Sequence, residues 1–280
     1  MGLRIIPATD YDKTLKERII IYGRSGIGKS RLALSLPERF GRIAYYAADE
    51  NAEFLPSISK DKRSRILVIK PEGDDAIKNF TKFCLNDWKK VDPGIQTLVV
   101  DTFTKVANDA IRHSANTGSV TSEKHYQVGD PGEGGQIIPN RGDYLALESL
   151  ARGFLDMLFE HQRDMHIIFV QHEDVKLIEG IHAVGGPAVP GRAMLEYIPS
   201  QMSTVIRLIR ETTLLPGASM PEEIVVAITE NDGRFITKVR TTNDSSANPL
   251  AKVYLDRTSR NFWTEYEKIY APKEEEVNVG

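Results

Sequence analysis

Nowhere in the 280 residues is there an apolar run of the roughly 18 residues a membrane-crossing helix needs. Met1 to Lys16 lacks the apolar core of a signal peptide, and Ile6 stands where myristoylation would want Ser or Thr, so a cytoplasmic setting without a membrane partner is expected. A single cysteine, Cys84, excludes an internal disulfide and suits a reducing compartment. Its apolar helical surroundings make it a small buried hydrophobe. Positive charge is also scarce: Lys+Arg 36 against Asp+Glu 39 gives a net charge of −3. That excludes a surface coated for nucleic acid, so any DNA contact must be local. No internal repeat is present. The 41% hydrophobic content can bury one sizeable core, expected as a single domain over residues 1–270, with the Lys- and Glu-rich residues 271–280 as a disordered tail.

Against these absences stands one dense motif, Gly23-Arg24-Ser25-Gly26-Ile27-Gly28-Lys29-Ser30, between the apolar run Arg18 to Tyr22 and the helical pattern from Arg31 to Leu36. The pattern G-x-x-x-x-G-K-[ST] curls the backbone at Gly23, Gly26 and Gly28 so that successive N–H groups face phosphate oxygens. A helix starting near Lys29 adds its positive end to the same anion site. Lys29 can reach the β and γ phosphates, and the Ser30 hydroxyl is placed to ligate Mg²⁺. The expected ligands are ATP and Mg²⁺, held by residues Gly23 to Arg31.

Downstream, Arg42 to Ala48 reads as a buried strand ending on Asp49 and Glu50, and Arg65 to Lys70 as another. Asp74 to Lys90 places Ile77, Phe80, Phe83, Cys84 and Trp88 at helical spacing. Gln96 to Asp101 is an apolar strand closing on a carboxylate, where Asp101 would support the metal. Thr104 to Ser114 reads as helix and Ala115 to Gly142 as a long polar, glycine-rich loop. Tyr144 to Arg163 is amphipathic helix. His166 to Val170 is a buried strand ending on Gln171 and His172, and Glu179 to Arg192 is expected as a mobile loop. Thr204 to Glu211, Glu223 to Thr229 and Arg234 to Thr241 read as strands, the last two as a hairpin turning at Asp232 and Gly233. The expected fold is α/β: a mostly parallel central sheet flanked by helices and extended by antiparallel C-terminal strands. Ligands then sit at the carboxyl ends of the parallel strands, where Gly23, Glu50, Asp101 and Gln171 converge.

In their order and spacing, GRSGIGKS, the strand closing on Asp49 and Glu50, LVVDT, IIFVQ and the following glycine-rich stretch resemble the RecA-like ATPase core of RecA, RadA and KaiC, over roughly Lys16 to Arg240. The resemblance implies that Glu50, which fits better than Asp49, orients the attacking water. It implies that Gln171 senses the γ-phosphate, and that Lys238 and Arg240 reach a neighbouring subunit's site. Positions two apart on a strand share a face, which suits that last role. The resemblance also places DNA-binding loops at Ala115 to Gly142 and Glu173 to Pro199, whose cations are Lys124, Arg141, Lys176 and Arg192.

The chain lacks the additional domains of the large recombinases and is most similar to short bacteriophage RecA-like ATPases of the Sak type, which implies recombination or annealing on single-stranded DNA. Filament or ring assembly and a single-strand-binding protein as partner belong to the same implication. So few cations per subunit would bind DNA usefully only through many subunits. The near-neutral loops leave open a KaiC-like ATPase acting on proteins. A small-molecule P-loop kinase is a third reading, disfavoured because it needs no Gln171-like sensor. Phe54 is a candidate for stacking on adenine.

Overall fold

The computed structural model describes residues 16–49, 53–71, 80–84, 88–109, 126–128, 136–138, 141–161, 165–178, 182–189, 192–214, 220–239, 248, 250–256 and 258–270. In chain order the strands are β1 (Arg18–Gly23), β2 (Arg42–Ala47), β3 (Ile66–Ile69), β4 (Ile95–Asp101), β5 (Tyr126–Val128), β6 (Gln136–Ile138), β7 (His166–Ile178), β8 (His182–Pro187), β9 (Thr204–Thr213), β10 (Glu222–Ile228), β11 (Lys238–Val239) and β12 (Lys252–Tyr254). The helices are α1 (Lys29–Leu34), α2 (Lys60–Arg63), α3 (Trp88–Val91), α4 (Arg141–His161), α5 (Arg192–Ser200) and α6 (Arg260–Tyr270).

The main sheet runs β12-β10-β9-β1-β7-β4-β2-β3. It is parallel from β9 across to β3 and antiparallel where β10 and β12 extend it. This is the α/β fold expected from the sequence. Its central strands are near-continuous apolar runs because both faces are covered. Period-2 alternation sends Ile20, Tyr22, Tyr46, Val100 and Phe169 to one face, packed with Leu155, Leu158 and Phe159 of α4 and Leu195 of α5. Ile19, Ile21, Tyr45, Val99 and Val170 face the other side, against Leu32 of α1 and Phe262, Trp263 and Tyr266 of α6. Each fully buried side chain of this size stabilises the fold by about 1.5–3 kcal/mol. Trp263 adds a specific tie, its indole N–H donating to the Leu32 carbonyl at 3.0 Å.

Three sequence expectations are corrected. The strand from His166 does not stop at Gln171: β7 continues to Ile178 and pairs antiparallel with β8, so Glu179 to Arg192 contains a strand and the start of α5, where a loop was expected. Close packing accounts for its glycines, since a Cβ on Gly185 would lie 2.1 Å from the Phe235 ring. Second, β10 and β11 do not pair with each other. Both lie along β9, β10 at Arg207 to Thr213 and β11 at Thr204 and Val205, while the residues between them make an excursion. The local turn is present, with Gly233 at φ 76° and Asp232 accepting from the N–H groups of Arg234 and Phe235. Third, the described parts of Ala115 to Gly142 are the β5–β6 ribbon and the first residues of α4. Within the expected helix Asp74 to Lys90, Phe80, Phe83 and Cys84 are buried, while Ile77 lies outside the described residues. β12 and α6 have no counterpart in the sequence reading.

Candidate functional site: a phosphate-binding edge

The register of the sheet brings the motif residues to one edge. Ala47 pairs with Asp101, Asp101 with Val170, and Gly23 with His172, so the ends of β1, β2 and β4 meet beside the middle of β7. β1 passes directly into the glycine-rich turn. Gly23 is required by close approach, because a Cβ there would lie 2.6 Å from the Leu208 carbonyl oxygen of β9. Gly28 adopts φ 101° as N-cap of α1, and its carbonyl accepts from the Leu32 N–H at 3.0 Å. A Cβ on Gly26 or Gly28 would meet nothing within 4 Å, so both line open space inside the turn. That is a backbone cradle of the kind a phosphate chain fills.

Lys29 is only 6% exposed, and its ammonium donates to the Arg24 carbonyl across the turn at 2.8 Å. Burial pushes its pKa down, opposed by the charges of Asp101, Asp49 and Glu173. Asp101, at the end of β4, is 6% exposed and accepts from the Tyr45 hydroxyl at 2.8 Å. Burial holds its pKa above the ordinary carboxylate value, while hydrogen bonds from Ser30 and Tyr45 pull the other way. Thr102 donates to Asp49 at 3.0 Å, which fixes the carboxylate at the end of β2 next to Asp101. The half-buried Ser30 hydroxyl and the buried Asp101 carboxylate form a pair of hard oxygen donors, a set that suits Mg²⁺. Together with the cradle and Lys29, they fit a magnesium nucleotide.

Gln171 lies between these groups and the P-loop strand, paired in register with Tyr22. It is fully buried, and neither its amide nitrogen nor its amide oxygen has a hydrogen-bond partner among the described residues. Buried polar groups are nearly always paired. The amide therefore stands beside the phosphate cradle with its hydrogen-bonding capacity unused among the described residues. Next to it, His172 donates its backbone N–H to the Thr104 hydroxyl, and its carbonyl accepts from the Ala188 N–H, tying β7 to the segment after β8.

Two residues on, Glu173 makes a bidentate pair with Arg207 of β9, at 2.8 and 3.2 Å. The Arg207 guanidinium lies 3.1 Å from the centre of the Phe235 ring. No role is expected from the sequence for this clasp, nor for Tyr45, Thr102 or His172. Tyr45 had a local signal, lying two residues before the end of β2 on the face opposite Tyr46. The clasp joins segments far apart in the chain and had none.

The other expected site residues are less gathered. Glu50, Lys124 and Arg240 lie outside the described residues. Arg141 opens α4, Lys176 falls within β7 and Arg192 opens α5, so the structure places these cations on separate elements. Lys238 stands on β11, and its ammonium donates to the Pro199 and Ser200 carbonyls at the end of α5. Phe54 is partly buried and meets the Tyr45 ring edge-on at a centroid distance of 6.1 Å.

A parallel sheet whose central strand opens into such a cradle, with a Ser–Asp pair beside it, defines a P-loop nucleoside triphosphatase. Residues 15–241 match an AAA domain family (AAA_24), and the chain belongs to it: it is an AAA-type P-loop ATPase domain, a class that uses ATP and Mg²⁺ in general. The match extends to this class and not to a RecA or Sak-type assignment. No curated protein sequence matches the chain. Among the described residues no helix is long and apolar enough to cross a membrane.

Proposed function

We propose that the chain hydrolyses ATP and uses the state of the γ-phosphate to control its hold on single-stranded DNA, in a filament or ring of identical subunits. The observation that carries this reading is Gln171. Its unpaired amide sits where β7 stops serving the phosphate edge and starts the β7–β8 hairpin. A side chain that completes its hydrogen bonds only on a terminal phosphate would transmit that phosphate's presence along one continuous strand. Lys29 and the cradle hold the phosphates. Ser30 and Asp101 hold Mg²⁺, which supplies charge neutralisation at the phosphoryl oxygens. Glu50, beside Asp49, orients water. Lys238 and Arg240 act toward a neighbouring subunit, for which Lys238 exchanges its α5 carbonyls for phosphate. A recombination or annealing role beside a single-strand-binding protein extends the same reading.

The test is ATP turnover with and without single-stranded DNA, in a preparation free of other proteins. Turnover should rise several-fold with DNA and vanish in Lys29→Ala. Equal turnover in both conditions would refute the DNA part while leaving the ATPase intact. A second reading, a protein partner at the hairpin, is favoured by what β7 exposes after the clasp: Asp174, and Val175 at 53%. Negative-stain imaging with a non-hydrolysable ATP analogue separates the two, since a filament that forms only with DNA supports the first.

A further inference from the structure

Starting at Arg31, the last of the residues expected to hold ATP, a cavity of about 420 Å³ runs along α1 beyond the P-loop. Three separated segments line it. α1 gives Arg31, Leu34 and Ser35, the stretch from Pro56 into α2 gives Lys60, Lys62 and Arg63, and the start of α6 gives Arg260. Five cations therefore face one cavity, with the hydroxyls of Ser57, Ser59 and Thr258 between them, and among the described residues no acidic or aromatic side chain lines it. Asp61 stands between Lys60 and Lys62 in sequence but is not part of the lining.

Several cations elsewhere are held by carboxylates. Arg42 pairs with Asp92, Arg207 with Glu173, Arg210 with Glu223 and Lys252 with Glu211. None of the ion pairs among the described residues takes Lys60, Lys62, Arg63 or Arg260. Gathered along one cavity, these four give it a local positive potential that draws anions, in a chain whose net charge is −3. The site is also held in shape. Lys62 donates to the Ser35 carbonyl at 2.6 Å, and Arg260 reaches the Ser59 hydroxyl. Asp256 fixes the start of α6 by accepting from Thr258 and from the Arg260 N–H. Burial first, and then the neighbouring charges of Arg260 and Arg65, push the Lys62 pKa down to about 8.

We infer that this groove is a second anion site, separate from the P-loop, which binds a chain of linked phosphates through charge and hydroxyl contacts without reading a base. Guanidinium and ammonium groups with intervening hydroxyls are the usual donors to phosphate oxygens. Among the described residues the lining offers no aromatic ring on which a base could stack. Two sources offer that chemistry, a nucleic-acid backbone and a free oligophosphate. The inference does not rest on the DNA reading above.

The experiment uses the whole chain loaded with Mg²⁺ and a non-hydrolysable ATP analogue, which fills the P-loop. Tripolyphosphate is titrated calorimetrically, and a labelled oligothymidine is followed by anisotropy across a salt series. In the double variant Lys60→Glu/Arg63→Glu, both exposed positions, binding of the probe should fall at least about tenfold, and for DNA the salt slope should drop by about 1.4, two contacts' worth. Basal ATP turnover should not change. Oligothymidine that displaces tripolyphosphate identifies the backbone as ligand, and tripolyphosphate bound without competition identifies a free oligophosphate. The inference is overturned if loaded protein binds neither probe, or if the double variant binds both as the wild type does. It is equally overturned if the variant raises the KM for ATP, since the groove would then be part of the ATP site. DNA-independent turnover together with tripolyphosphate binding would remove the DNA reading and leave the groove.

Discussion

Replacing Gln171 by Met should stabilise the nucleotide-free protein and cripple the enzyme. The side chain is fully buried with both amide atoms unpaired, and its methionine counterpart has nearly the same length and shape. An unsatisfied buried polar group costs about 1–3 kcal/mol. Removing it without leaving a cavity should return most of that, a rise in melting temperature of about 2–10 °C for a chain of this size. Nucleotide should reverse the order. If the amide's missing partner is the terminal phosphate, a magnesium-loaded ATP analogue adds more stability to the wild type than to Gln171→Met, because ligand stabilisation follows affinity. Turnover should fall about 100-fold, the usual loss when one preorganised donor at a developing charge is removed. The assay is paired melting curves, without and with analogue, beside steady-state phosphate release. A nucleotide-free variant melting below the wild type would mean that the amide is satisfied within the fold. Unchanged turnover would mean that it never touches phosphate.

Tyr45→Phe removes the hydroxyl that donates to Asp101, so the carboxyl pKa, already raised by burial, rises further. The carboxylate then holds the metal less well, so the Mg²⁺ for half-maximal turnover should increase about tenfold, equivalent to about 1.4 kcal/mol. Metal titrations of the two proteins side by side check this. Gly23→Ala should cost about 1–3 kcal/mol, because its Cβ would sit 2.6 Å from the Leu208 carbonyl and β9 or the P-loop must move; urea unfolding measures it. His166 accepts the Glu17 N–H at Nδ1 and is held neutral by burial, its pKa pushed down to about 3. The unfolded chain binds that proton near pH 6.5 and the folded chain does not, so stability should fall from about pH 6.5 toward pH 3, by on the order of 4 kcal/mol in all. Unfolding midpoints between pH 7 and 4 should show the slope, and His166→Asn should flatten it.

What could be read from the sequence was whatever a few adjacent residues determine. The P-loop is legible because its chemistry is compressed into Gly23 to Ser30, and Asp101 because an apolar run ends on it. The β7–β8 hairpin escaped because Gly185, Gly186 and Pro187 carry the composition of a loop. Yet Gly185 is glycine to admit the Phe235 ring, and Gly186 to admit Leu195, whose Cδ1 lies 2.8 Å from where a Cβ would be. That is a demand made by residues 50 and 9 positions away, which no local pattern encodes. The turn at Asp232 and Gly233 was read correctly as a turn, but the partner of β11 is set by the free length of β9. α6 was legible and passed over: Phe262, Trp263, Tyr266 and Ile269 have the spacing of one helical face, and all four are buried. The basic groove could not be seen in composition, since its cations come from three segments that only the fold assembles.

The route from the phosphate edge to the hairpin is short and has a definite mechanical character. Gln171 and Glu173 are two apart on β7 and project to the same face. Glu173 is clamped by Arg207, Arg207 is stacked on Phe235, and Phe235 lies against Gly185 of β8. The backbone around Phe235 is bonded to β8 as well, Gly185 donating to the Arg234 carbonyl and accepting from the Ile236 N–H. On its other side the same excursion is held to the P-loop strand, where the Tyr22 hydroxyl donates to the Ile236 carbonyl at 2.9 Å. The hairpin is thus fastened at its base to both β1 and β9. A small displacement of Gln171 cannot bend the hairpin gradually against a bidentate ion pair and a stacked ring. It must either leave the clasp whole or shift clasp, excursion and hairpin together, and packed contacts of this kind favour two discrete arrangements over a continuum. Under the function proposed above, the clasp is the element that would convert the presence of one phosphate into an all-or-none change, and its three side chains are the place where such coupling would be lost without loss of ATP binding.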